Sequence, residues 1–296
     1  MAKKPLSPIK KHNRFRILIQ ALATALTNGY VKGFAHGRIY TGMTKYLCAP
    51  GLNCYSCPGA LASCPIGALQ ATLNSREFKI SLYVIGFLTI VGTVSGRLVC
   101  GFLCPFGFIQ DLLFKIPFFK KLRKLPGEKF LRFIRYALLV VFVIVLPMVV
   151  ADITGLGDPW FCKYICPAGT LEGGIPLVLL NEGLRNTIGF LYTWKVAILI
   201  VTVLLSILLY RPFCRYACPL GAIYGLFNKV AIYRYTVNKD KCTECGACEK
   251  ACGLGIPVWK KPNSIDCIRC GNCKAACPTG AIEPLYSFKK KAQNTP

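Results

Sequence analysis

Apolar positions fall into three long runs, residues 80–96, 136–151 and 196–210, each bounded by charge. Each approaches the roughly 20 residues that cross a hydrocarbon core about 30 Å thick. Residues 188–194 extend the third. One such run would read equally well as a buried core helix, whereas three in one chain point to a membrane protein. Residues 17–35 form a weaker fourth candidate, because they contain Gln20, Asn28 and Lys32. A signal peptide does not fit this segment: it is long, its start is polybasic and no small-residue cleavage site follows. Shorter amphipathic stretches, 106–119 and 220–230, follow the runs 80–96 and 196–210 and are expected at the interface or dipping back into it. The pattern predicts an α-helical membrane part of about four transmembrane helices, residues 1–232, and a small α+β domain, residues 233–296.

Composition agrees with this class: 54% of residues are hydrophobic and 17% charged, more apolar and less charged than an average soluble domain. A net charge of +25 would suit nucleic-acid binding, but its distribution argues otherwise. Of the 37 Lys and Arg, 29 fall in residues 3–16, 97–135 and 211–291. Rich and poor regions alternate across the four runs. This is the positive-inside pattern of a multi-pass protein of a prokaryotic cytoplasmic membrane, with both termini in the cytoplasm. Membrane lipid is then the expected partner of the basic loop 120–124, and no nucleic acid is expected. Trp160, Trp194 and the tyrosines near span ends read as interface anchors. With only His12 and His36 in the chain, and His12 in the basic tail, a transmembrane bis-histidine haem is not expected.

The 18 cysteines carry the chemistry. Cys242, Cys245, Cys248 and Cys252 read C-x2-C-x2-C-x3-C, and Cys267, Cys270, Cys273 and Cys277 repeat it before Pro278. This is the bacterial two-cluster ferredoxin spacing, in which the last cysteine of each run serves the other cluster. One [4Fe–4S] cluster would take Cys242, Cys245, Cys248 and Cys277, the second Cys267, Cys270, Cys273 and Cys252. Gly246 and Gly271 suit loops whose backbone must approach sulfide closely. Structural zinc also uses C-x2-C pairs, but gains nothing from two such octets.

The other cysteines form a second repeat. Cys100/Cys104, Cys162/Cys166 and Cys214/Cys218 all read C-x3-C-P-x-G, and Cys64-Pro-Ile-Gly-Ala-Leu-Gln shares the second half, with Cys57 seven residues before it. Repetition of this kind signals duplication. On the predicted topology, Cys100, Cys104, Cys214 and Cys218 lie on the inner side. Cys57, Cys64, Cys162 and Cys166 lie on the outer side. Each quartet could hold one metal centre, giving one or two further iron–sulfur clusters in the membrane part. Cys48 and Cys54 remain as extra outer ligands or a disulfide. The structural alternative is that proline simply stops a helix beyond each span.

Membrane-side C-x3-C-P pairs followed by a two-cluster ferredoxin resemble the membrane ferredoxins of the NapH/MauN type. They also resemble the membrane part of the nitrous-oxide reductase regulator. The resemblance covers the chain from about residue 80. It implies electron passage between a cytoplasmic donor or quinone pool and an extracytoplasmic redox partner protein, [4Fe–4S] ligation by the eight ferredoxin cysteines, and redox function for the inner quartet. The segment 48–64 and the pair Cys162/Cys166 depart from the family's usual pattern and suggest a fuller row of clusters. A quinol or metal-ion oxidoreductase subunit and a redox-sensing regulatory or assembly protein are the alternatives. The chain shows no constellation of acid–base groups that would make it a self-contained enzyme.

Overall fold

The computed structural model describes residues 8–74, 82–117, 121–123, 125–150, 157–186 and 188–285. The basic positions before residue 8 and after 285, Lys120 and Lys124, and the ends of two predicted spans (residues 80, 81 and 151) lie outside the described residues.

Among the described residues two helices are long and apolar enough to cross a membrane, Glu128–Val149 and Phe190–Leu208. Both expose apolar side chains, including Val140, Val145 and Val149 on the first and Ile200, Val201 and Leu204 on the second. The remaining two predicted spans look different. Helix Leu82–Ser95 has 14 residues. Helix Pro8–Thr27 starts well before the expected position and takes in much of the basic tail. Its polar Arg16 and Gln20 are buried against protein, while Phe15, Leu18, Leu22 and Leu26 face outward.

Four cysteine–proline steps begin a helix and do not end one, whereas Cys57-Pro58 and Cys277-Pro278 enter turns. Cys64, Cys104, Cys166 and Cys218 have extended backbones and cap the helices that open at Pro65, Pro105, Pro167 and Pro219. Proline is at home in the first turn because its missing N–H is unpaired there anyway. At Cys104 and Cys218 the sulfur accepts the N–H of Gly107 and Gly221, each at 3.4 Å.

The halves interlock. Helix Pro105–Phe114 of the first half packs on Phe190–Leu208 of the second, and Pro219–Phe227 of the second packs on Leu82–Ser95 of the first. The ferredoxin part carries a two-stranded antiparallel sheet, β1 (Tyr235–Val237) and β2 (Ile282–Pro284), with Thr236 opposite Glu283. Its Leu254, Ile256, Ile268 and Tyr235 share one buried core with Phe213, Leu220 and Tyr224, so residues 233–285 are built onto the helical part.

Candidate iron–sulfur sites

In the ferredoxin part, one cavity is lined by Cys242, Cys245, Cys248 and Cys277. A second is lined by Cys252, Cys267, Cys270 and Cys273. The backbone is shaped for this. Glu244 and Arg269, at matching places in the two octets, have φ of 51° and 52°, and the glycines that follow the next cysteine, Gly246 and Gly271, have φ of 70° and 82°. Left-handed residues at these places wind the chain around a centre instead of along a strand. Arg269 must be held there, since a bulky side chain rarely adopts this conformation. Its guanidinium donates to the carbonyls of Ser95 and Asn228 at 2.9 and 2.7 Å. His12, expected in a tail, meets the Cys270 carbonyl at 2.7 Å and so ties the first helix to the second cavity.

The inner quartet converges from both halves. Cys100, Cys104, Cys214 and Cys218 are all buried and lie within electrostatic reach of one another. The Gln110 amide donates to the Cys214 thiol at 3.2 Å. Burial pushes the Cys104 and Cys218 thiols well above their usual range. Thiolates can occupy such a place only if a cationic core balances them. The ferredoxin part lies close by, since a Cβ on Gly101 would stand 2.5 Å from the Ile268 carbonyl and 3.8 Å from Cys270 Cα.

The outer group corrects the sequence reading. A cavity of about 280 Å³ is lined by Cys54, Cys64, Cys162 and Cys166. Cys54 stands where Cys57 was expected. The Cys57 N–H closes a turn onto the Cys54 carbonyl at 3.1 Å, which carries its thiol round to the Glu172 carbonyl, also at 3.1 Å. Cys48 is buried beside Cys64, with its N–H donated to the Tyr83 hydroxyl, and it does not line the cavity. All six outer cysteines are free, so no disulfide joins Cys48 to Cys54.

The residue six places after the second cysteine of each motif also reaches a site, a role the sequence reading missed. Gln70 donates to the Cys162 thiol at 3.2 Å, as Gln110 does to Cys214. Glu172 accepts the Cys54 N–H at 2.9 Å, and burial pushes its carboxyl up to about 7. Tyr224 donates to the Pro50 carbonyl at 3.2 Å. The glutamine at the same offset after Cys64 and Cys104 was the available signal.

Segment 50–54 joins the two quartets. The Leu52 backbone lies beside the Cys104 thiol and the Asn53 backbone beside the Cys64 thiol. A Cβ on Gly51 would stand 2.7 Å from Cys104 Cα, so this close approach needs glycine. Inner and outer sites therefore adjoin and are not set a bilayer apart.

The donor sets fit iron–sulfur clusters. Four thiols surround each centre, glycines or left-handed turns clear the approach, and amide N–H groups point at sulfur. Among the described residues no group of three or more His, Cys, Asp or Glu side chains is drawn close enough to hold a single metal ion.

A family profile described as a 4Fe–4S binding domain matches residues 63–83, 81–126, 136–175 and 192–234. Another of the same description matches 235–257 and 262–283. An uncharacterized protein of Methanocaldococcus jannaschii is 31% identical over 219 residues, 71% of this chain and 80% of that protein. The methylamine utilization ferredoxin-type protein MauN of Methylorubrum extorquens is 27% identical over 57% of this chain and 50% of its own length. The chain belongs to the NapH/MauN family of polyferredoxins. YccM of Escherichia coli, named as a candidate electron transport protein, is 26% identical over 64% of the polyferredoxin and 50% of its own length. The polyferredoxin thus spans half the length of MauN and YccM. No solved structure matches. The ranges matched by the profile take in Cys64, Cys162 and Cys166. The polyferredoxin is an iron–sulfur protein of electron transfer.

Proposed function

We propose that this polyferredoxin is a membrane-bound electron relay with four [4Fe–4S] sites. The observation that supports this most is contiguity. The Cys242 set, the Cys252/Cys267 set, the inner quartet and the outer quartet form an unbroken succession. The ferredoxin part touches Gly101, and segment 50–54 touches both quartets. Such clusters change charge by one electron with little rearrangement, which suits relay work.

The protein's own residues define the two ends. Cys245 is exposed, so the ferredoxin end can meet a cytoplasmic donor. The outer cavity opens beside Lys163, Lys195 and Tyr55. Trp160 and Tyr164 stack at 5.0 Å nearby, and Trp194 donates to the Tyr164 carbonyl at 3.0 Å. An aromatic belt of this kind suits a membrane–water boundary, where an extracytoplasmic partner would dock.

In this reading helices Pro8–Thr27 and Leu82–Ser95 join the two long apolar helices as spans, with both termini in the cytoplasm. The alternation of basic regions supports that orientation. Full-length protein purified anaerobically from membranes should carry about 16 iron atoms, four for each site. A count near eight, with only ferredoxin signals, would remove the inner and outer sites and the relay with them.

A further inference from the structure

The two inner motifs share a feature outside their cysteines. Arg97 and Arg211 each stand three residues before the first cysteine of a motif, and both are buried at 1% and 0% exposure. Each reaches into the other half. Arg97 Nη2 donates to the Cys214 carbonyl at 2.9 Å, and Arg211 Nη1 donates to the Cys100 carbonyl. Both guanidiniums cross the glycine of the partner C-P-x-G. A Cβ on Gly221 would stand 2.9 Å from Arg97 Nη2, and one on Gly107 would stand 3.1 Å from Arg211 Nη1. The motif glycine is thus the place where the opposite arginine passes.

Arg211 is also held in the left-handed region, φ 52° and ψ 57°, directly before Pro212. A residue before proline avoids this conformation, which persists only where the surroundings impose it. Asp111 supplies part of that constraint, taking Arg211 Nε at 2.7 Å and Nη2 at 2.5 Å.

Charge is out of balance around these residues. The described residues bury Arg16, Arg97, Arg135, Arg211, Arg215 and Arg269, and their carboxylate partners are fewer: Asp111 is shared by Arg16 and Arg211, Asp266 by Arg97, Arg132 and Arg135, and Glu128 stands beside Arg132 and Arg215. Guanidinium does not shed its proton, and an unpaired buried charge is strongly unfavourable. The counter-charge has an evident source, because a [4Fe–4S] core with four thiolates carries a net charge of about −2. The outer quartet is framed differently. Lys195 Nζ reaches the Cys162 carbonyl at 3.2 Å, while the group beside Cys54 is the acid Glu172.

We propose that Arg97 and Arg211 are reciprocal positioning residues that fix the opposite half's first cysteine and, by their permanent charge, make the inner site easier to reduce than the outer one. This rests on the inner quartet holding a cluster. Reduction adds one electron, supplied by the neighbouring ferredoxin site, and no atom is transferred. The added negative charge is what the guanidiniums favour.

The test is an EPR-monitored redox titration of full-length Arg211→Gln and Arg97→Gln beside their lysine counterparts. Each glutamine variant should shift the inner reduction equilibrium at least tenfold against the reduced form, about 59 mV for a one-electron couple. The ferredoxin signals should move less, and lysine should restore most of the shift. An unmoved inner potential in both glutamine variants, or lysine variants that behave like the glutamine ones, would overturn the proposal. If glutamine abolishes the inner signal, the lysine variants decide. A wild-type inner potential in them supports the charge role, and loss of the signal in them too refutes it. Failure of the underlying reading would look different, because wild-type protein would then show no signal beyond the ferredoxin pair.

Discussion

The inner and outer quartets are built from the same motif and surrounded by different chemistry. The inner one buries all four cysteines and draws two arginines onto its backbone. The outer one leaves Cys54 and Cys162 partly exposed, opens into a cavity of about 280 Å³ lined also by Lys163 and Lys195, and carries the acid Glu172 beside Cys54. Burial, hydrogen bonds to sulfur and nearby charge set the potential of an iron–sulfur site. On the relay proposed above, the contrast would give duplicated parts different tasks: the enclosed, positively framed site would pass charge along, and the open one would exchange it with a partner.

The largest effect should come from breaking the inner quartet. Cys104→Ser or Cys218→Ser should remove one spectroscopic centre and stop electron passage from ferredoxin end to outer end, while the ferredoxin signals survive. Cys166→Ser should instead remove the outer centre alone. Loss of both centres in any one of these variants would show that the quartets are not independent sites. Next comes the choice of the fourth outer ligand. Cys54→Ser should lower iron content by about four atoms per chain, and Cys57→Ser should leave it unchanged; the reverse result would return Cys57 to the site.

A subtler effect is expected at Gly169, where a Cβ would stand 3.1 Å from Cys54 Sγ. Gly169→Ala should destabilise the outer site by about 1–3 kcal/mol through overpacking. Gly183→Ala has open space around it and should change stability by no more than about 0.5 kcal/mol. Thermal melts that rank the two the other way would contradict the packing described. The smallest effects belong to the glutamines. Gln110→Leu removes a hydrogen bond to the inner Cys214 thiol and Gln70→Leu one to the outer Cys162 thiol. Each should lower the potential of its own site only, by the equivalent of about 1 kcal/mol, readable in the same titration. A common shift in both sites would blur the comparison.

Local features were legible in the sequence. Both ferredoxin octets lie in loops whose spacing alone determines which thiols meet. The inner quartet could be assembled from the repeat, because duplication places equivalent motifs together. What escaped depends on how the chain folds back. Cys57 lost its expected place to Cys54 because of a single turn. His12 sits in a helix that begins at Pro8, not in a tail. Alternating basic regions give the side of a membrane to which a segment belongs but not how deeply it returns, so nothing predicted that the Leu52 and Asn53 backbones would lie beside two sites. The structural alternative, proline stopping a helix after cysteine, fails at Pro65, Pro105, Pro167 and Pro219, where proline opens one, since the missing N–H is harmless at a start.

The interlocked halves have a consequence for how such a protein is made. Cys54, Cys64, Cys100 and Cys104 leave the ribosome well before Cys162, Cys166, Cys214 and Cys218, and the eight ferredoxin cysteines come last. Since each quartet draws on both halves, neither can be finished from the first half alone. Half-built thiol pairs must stay reduced until their counterparts arrive. Maturation therefore waits on the second half, the outer site for Cys166 and the inner one for Cys218, and a chain truncated before residue 162 should emerge without metal in the membrane part, however well its first helices insert.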